Sequence, residues 1–146
     1  MSIKLIAVGN VLMKDDGIGI EVARRIEDRL SSMGIEVIYG ETDFQYCISK
    51  IDNDDFIFIL DAACYGKNPG DINVISLTDF TLKKKEYSQH SCSFIDLLKL
   101  YYPTIRGDIF AVETKEVEFA FGLSSELQQK LEEMSEEILS KIILSI

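Results

Sequence analysis

The chain predicts an α/β fold, a mostly parallel twisted sheet with helices on both faces. Three observations carry that expectation. Short apolar, β-branched runs alternate with amphipathic runs of helical period along the whole sequence. The strongest strand candidates, Ile3 to Val8 and Phe56 to Leu60, are apolar almost without interruption, as strands covered on both faces are. No repeat, linker or shift in composition breaks the 146 residues, so a single domain over 1–146 is expected.

The elements come in order. Ile3 to Val8 reads as a buried central strand. It runs into Gly9-Asn10-Val11-Leu12-Met13-Lys14-Asp15-Asp16-Gly17-Ile18-Gly19, a glycine-bearing loop with adjacent carboxylates. From Ile18 to Met33, the residues Ile18, Val22, Ile26, Leu30 and Met33 share one helical face. Asp15 or Asp16 is the expected cap of that helix, and Gly34 its stop. Ile35 to Tyr39 alternates enough for an edge strand, and Asp43 to Lys50 suits a short helix. After the polar turn Asp52-Asn53-Asp54-Asp55 comes Phe56-Ile57-Phe58-Ile59-Leu60-Asp61, an apolar run ending in one carboxylate. Asn68-Pro69-Gly70 signals a turn before a strand from Asp71 to Leu77. Thr81 to Gln89 is polar; Phe94 to Tyr101 then reads as a helix with Phe94, Leu97, Leu98 and Tyr101 on one face, ended by Pro103. Asp108 to Glu113 is the last strand. Ser124 or Ser125 opens a final helix; Ser125 with Gln128 fits a capping box, and Leu127, Leu131, Met134, Ile138 and Ile142 form its buried stripe.

Composition excludes several classes of function. Lys plus Arg number 15 against 25 Asp plus Glu, a net charge of −10, which argues against a nucleic-acid partner because phosphate contacts need clustered cations. The one basic run, Lys83-Lys84-Lys85, suits a solvated loop. Cys47, Cys64 and Cys92 show no C-x-x-C spacing, so a zinc knuckle or disulfide framework is not expected and a reducing compartment is. No signal peptide and no bilayer-length apolar run is evident, so the expected location is cytoplasmic, with no membrane partner.

Chemistry concentrates at one predicted edge. Asp15 and Asp16 lie beyond the first strand, Asp61 ends the third, and these strand ends are neighbours in a doubly wound sheet. His90, the only histidine, is placed by its polar surroundings in a loop before a helix, within reach of the same edge. Two carboxylates and an imidazole are a mixed oxygen and nitrogen set suited to a borderline divalent ion, with coordination positions left open. Taken singly, each residue has a plain structural reading: a helix cap, a strand-end turn, a surface histidine. Their shared edge favours a site. The glycines match neither G-x-G-x-x-G nor a P-loop, so they are read as permitting a tight loop, and no organic cofactor is expected.

These residues resemble a known family. Gly9-Asn10-x-Leu12-x-x-Asp15-Asp16-Gly17-x-Gly19 is similar to the opening signature of the hydrogenase maturation proteases, endopeptidases that trim the C-terminal tail of the nickel–iron hydrogenase large subunit. Leu60-Asp61-Ala62, Ser88-Gln89-His90 and Gly122-Leu123-Ser124 resemble the family's later segments in order and spacing. The resemblance implies a three-layer α/β/α sandwich with a five-stranded sheet that is not fully parallel. It implies that Asp16, Asp61 and His90 are the metal-contacting and catalytic trio, Asp16 standing where some members carry Glu. It also implies that the partner is a hydrogenase large-subunit precursor and that the metal is nickel held by this substrate.

Two rival readings make distinct demands, and a third is a non-catalytic relative of the protease. A phosphoacceptor receiver would use Asp61 as acceptor and need a lysine after the last strand, for which Lys115 is the candidate. A thiol hydrolase would draw on Cys92 beside His90, or on Cys64 near Asp61.

Overall fold

The computed structural model describes residues 2–79 and 89–146, with side chains described throughout except at 89–93. The elements are β1 (Ile3–Val8), a 3-10 turn (Lys14–Gly17), α1 (Ile18–Ser32), β2 (Glu36–Glu41), α2 (Phe44–Ser49), β3 (Phe56–Ala63), β4 (Ile72–Ser76), α3 (Gln89–Tyr101), β5 (Arg106–Glu113) and α4 (Ser125–Ser145). The polar stretch from Thr81, with Lys83-Lys84-Lys85, and the side chains of His90 and Cys92 lie outside the described residues.

The sheet has five strands in the order β2-β1-β3-β5-β4. β2, β1, β3 and β5 are parallel to their neighbours, and β4 closes the sheet as an antiparallel edge. β2 forms the other edge, as its alternating sequence predicts. Strand alternation divides the core. Leu5, Ala7, Phe58, Leu60, Phe110 and Val112 face α1 and α4. Ile6, Val8, Ile57, Ile59, Ile109 and Ala111 face α2 and α3. The three-layer sandwich is therefore present. No helix among the described residues is long and apolar enough to cross a membrane.

The helices obey their sequence stripes, with informative departures at the ends. Ile18, Val22, Ile26 and Leu30 of α1 are buried, but Met33 stands at the C-cap and is 39% exposed. Gly34 at φ 81° closes the helix: its N–H donates to Ser31 O and the next N–H, from Ile35, donates to Leu30 O, both at 3.0 Å. On α4 the stripe of Leu127, Leu131, Met134, Ile138 and Ile142 is buried as expected, each side chain contributing roughly 1.5–3 kcal/mol. Its cap is Ser124, whose hydroxyl accepts from Leu127 N–H, so the Ser125–Gln128 box does not form; Gln128 N–H donates to the Ser124 carbonyl instead. β3 runs two residues past Asp61, because Ala62 and Ala63 find partners in Val112 and Glu113 of β5.

The direction of α3 decides which sheet edge receives its first turn. Beyond its last turn, the Tyr102 hydroxyl donates to Ile51 O at 2.7 Å, beside the amino end of β3. There Lys4 of β1 also binds Asp55 and the Lys50 carbonyl, both at 2.7 Å. With the last turn at the amino edge of the sheet and 13 residues rising about 1.5 Å each, the first turn of α3 lies toward the carboxyl edge.

Candidate functional site

β1 leaves the sheet at Val8 beside β3, its parallel neighbour. Gly9, at φ 136°, lets the chain double back so closely that a side chain there would collide with the Asp16 carbonyl. The loop is thereby closed on itself. The Asn10 N–H donates to Asp16 Oδ2 at 2.8 Å, and the Asn10 side chain accepts from Leu12 N–H at 2.9 Å. Asp16 is thus half-buried, with one carboxylate oxygen fixed by a backbone amide.

Gly19 supplies the second close approach. A Cβ on it would sit 2.6 Å from the Leu60 carbonyl oxygen and 3.2 Å from the Asp61 amide nitrogen. The start of α1 therefore rests directly on the end of β3, bringing the turn that carries Asp16 up to Asp61. Asp61 is 2% exposed and its Oδ1 accepts from the Ala62 N–H at 2.7 Å. Alternation puts it on the face of Ile57, Ile59 and Ala63, under α2 and α3, and its β5 partner is the small Ala111. His90 is the second residue of α3, not part of a preceding loop as its polar neighbours suggest. The helix direction carries that first turn toward the carboxyl edge of the sheet, where the Asp16 turn and Asp61 also lie. Among the described residues no group of three metal-ligating side chains is gathered, and the His90 side chain lies outside them.

Neither acid of the pair caps α1. The N-cap is Gly17, which makes no side-chain bond. Asp15 points the other way and is fully buried, accepting from the N–H groups of Lys115, Glu116 and Ser124 and from the Ser124 hydroxyl, at 2.6–3.0 Å. It ties the β1–α1 loop to the β5–α4 loop. The same seam continues through Lys14 N–H to Ala120 O and Ala120 N–H to Leu12 O, both 2.9 Å. Asn10, whose N–H fixes Asp16, also lines a cleft with Gly9, Val11, Leu12, Glu41 and Thr42. Glu41 of this cleft and Lys14 of the 3-10 turn take the left-handed backbone conformation, at φ 51° and 52°, which non-glycine residues seldom adopt.

Sequence reasoning passes over Glu113. It is 3% exposed, and its carboxylate accepts from Tyr65 N–H at 2.9 Å and Lys67 N–H at 2.6 Å, pinning the β3–β4 loop. The signal was available: like Asp61, it ends an apolar strand.

Of the rival readings' candidates, Lys115 and Cys64 are described, while the side chains of Cys92 and His90 lie outside the described residues. The Lys115 ammonium lies 3.7 Å from Glu126 of α4, its backbone serving Asp15 instead. Cys47 is buried; desolvation and then the nearby Asp43 charge push its thiol up to about 12, away from nucleophilic use. Cys64 is exposed with its Sγ 3.5 Å from the Thr114 hydroxyl.

Comparison with known proteins agrees with this architecture. The hydrogenase maturation protease family model matches residues 20–141. A Methanocaldococcus jannaschii protein assigned to the hydrogenase maturation proteases is 29% identical over 147 aligned residues, covering 96% of each chain. The [NiFe] hydrogenase maturation protease HybD from Thermococcus kodakarensis superposes with a TM-score of 0.79 at 26% identity, over 97% of this chain and 99% of that one. The Escherichia coli hydrogenase maturating endopeptidase HybD shares the fold, with a TM-score of 0.75 at 22% identity over 99% of this chain and 94% of that one. With the family model spanning most of the sequence and the fold matched nearly end to end, the chain belongs to the hydrogenase maturation protease family.

Proposed function

We propose that the protein removes the C-terminal tail of a nickel-loaded hydrogenase large-subunit precursor in the cytoplasm, recognising the substrate-held nickel through Asp16, Asp61 and His90. Family membership supports the peptidase activity. One observation supports the metal clamp above others: the approach of Gly19 to Leu60, which seats the Asp16 turn against Asp61 at the edge toward which α3 directs its first turn.

The donor chemistry accounts for substrate dependence. Two carboxylates and a neutral imidazole hold a free borderline ion weakly and leave positions open. Thiolates of the precursor fill those positions, so the ion bridges substrate and enzyme and sets the scissile peptide near the cleft beside Asp16. Hydrolysis then adds water across that peptide bond, the water activated by a carboxylate or by the metal. No organic cofactor enters this scheme, and the partner is a protein.

Co-expression with candidate precursors tests the reading. Nickel-supplied cells should yield a shortened large subunit and nickel-starved cells the full-length one. His90→Ala should lose capture of the nickel-loaded precursor. Capture by His90→Ala equal to wild type would remove the clamp, and cleavage that ignores nickel would remove the metal from recognition.

A further inference from the structure

Phe119 and Phe121 are 82% and 80% exposed, whereas Phe58, Phe94 and Phe110 are buried in the core. Val117 and Leu12 add further apolar surface, at 46% and 40% exposure. Contiguous exposed apolar groups of this kind mark contact surfaces, while scattered ones do not. Contiguity here is fixed by the backbone. Ala120, between the phenylalanines, pairs with Met13, and its N–H donates to the Leu12 carbonyl. Asp15 pins the segment at Lys115 and Glu116 on one side and at Ser124 on the other. The aromatic rings are thus carried on a braced segment that the fold holds out to solvent.

The patch is also continuous with the candidate site. Leu12 both abuts the phenylalanine segment and lines the cleft beside Asp16. Its border is acidic: Glu116 and Glu118 share the single ammonium of Lys14, at 2.8 and 3.2 Å, leaving an uncompensated negative charge. Glu41 stands exposed across the cleft, on a chain of net charge −10. An occupant that matches both features is apolar at its centre and basic at its flanks.

We infer that Phe119 and Phe121, with Val117 and Leu12, are the surface on which the hydrogenase precursor seats an apolar segment flanked by basic residues, while its metal engages Asp16 and Asp61. This rests on the proposed function for the identity of the partner, but it concerns different residues. Aromatic side chains at the centre of an interface commonly carry most of its binding energy.

The test uses the full chain and a nickel-loaded precursor, with capture measured by titration, cleavage by loss of the tail, and self-association by sedimentation. The Phe119→Ser, Phe121→Ser double variant should keep the wild-type unfolding midpoint and weaken capture by about fivefold or more, with Phe119→Leu restoring part of the loss. A smaller loss in the double variant overturns the docking surface and leaves the protease reading standing. Wild type that captures through the phenylalanines yet never cleaves sustains the surface and removes the protease reading. Wild type that neither captures nor cleaves removes both. Loss of self-association in the double variant with capture intact assigns the patch to a second copy and overturns the inference.

Discussion

The Asp15 carboxylate accepts from both the amide and the hydroxyl of Ser124, at 2.6 and 2.8 Å, across 109 residues of sequence. This pair holds the loop that carries Asp16 against the loop that begins α4. Asp15→Asn turns an amide NH2 toward backbone N–H groups that need an acceptor. It should destabilise the protein by about 2–4 kcal/mol, since hydrogen bonds to a buried charge are the costly ones to break. The urea midpoint should fall with the slope unchanged. A midpoint within error of wild type would mean that the two loops are held by other contacts.

Gly19→Ala tests the approach of α1 to β3. The added methyl would lie 2.6 Å from the Leu60 carbonyl oxygen, a backbone atom with little freedom to yield. The expected cost is about 1–3 kcal/mol, with a larger loss of nickel-dependent precursor capture as the Asp16 turn is pushed off Asp61. Gly34→Ala is the control. It places a methyl in open space at φ 81°, so it should cost roughly 1 kcal/mol in backbone strain and leave capture alone. Equal effects of both substitutions on capture would separate the Gly19 contact from the site.

Alkaline stability has a defined sign. Burial, and after it the Asp43 charge, raises the Cys47 thiol from its ordinary 9.0 to about 12. A raised folded value means that the folded state keeps the proton longer, so the contribution is complete below 9.0 and is lost as pH climbs toward about 12. Lys4 acts in the same direction. Burial opposes its ammonium, but the hydrogen bond and charge of Asp55 prevail and lift it above 10.5. The unfolding midpoint should therefore decline through this window, and Cys47→Ala should make the decline shallower. A parallel decline in the variant would remove Cys47 from the account. At about pH 8, iodoacetamide should label exposed Cys64 and spare Cys47.

Sequence range separates the features that were legible from those that were hidden. The β1 and β3 runs, the α1 and α4 stripes and the edge character of β2 depend on patterns within each element, and these were legible. The division of labour between Asp15 and Asp16 was not. Both are acidic and adjacent, and the donors that claim Asp15 come from Lys115, Glu116 and Ser124, about a hundred residues away. Ser124 and Ser125 posed the same difficulty, resolved when Ser124 was drawn to Asp15 and took the cap. α3 begins at Gln89 although Gln-His-Ser-Cys-Ser carries no apolar period, so pattern alone placed its start at Phe94. At the candidate site, the edge shared by Asp16 and Asp61 was readable from strand adjacency. The glycine contact that closes the gap was not, because Gly19 has a local reading as a loop residue.

Asp61 and Glu113 make the sharpest comparison. Both are buried carboxylates on the same sheet face near the carboxyl ends of apolar strands, and Glu113 pairs with Ala63, two residues beyond Asp61. Glu113 accepts from Tyr65 and Lys67 N–H groups, so its work is to pin a loop. Glu113→Gln should cost about 1–3 kcal/mol, because an amide cannot accept on both arms, and should leave nickel-dependent capture close to wild type. Asp61→Asn should act on capture instead. In the proposed clamp the Asp61 charge meets the ion, so removing it should reduce capture of nickel-loaded precursor by roughly 10- to 100-fold. Asp16→Asn should follow Asp61→Asn in capture. Should Glu113→Gln lose capture while Asp61→Asn keeps it, the metal-reading role passes from the end of β3 to the end of β5, and the clamp must be rebuilt around Glu113.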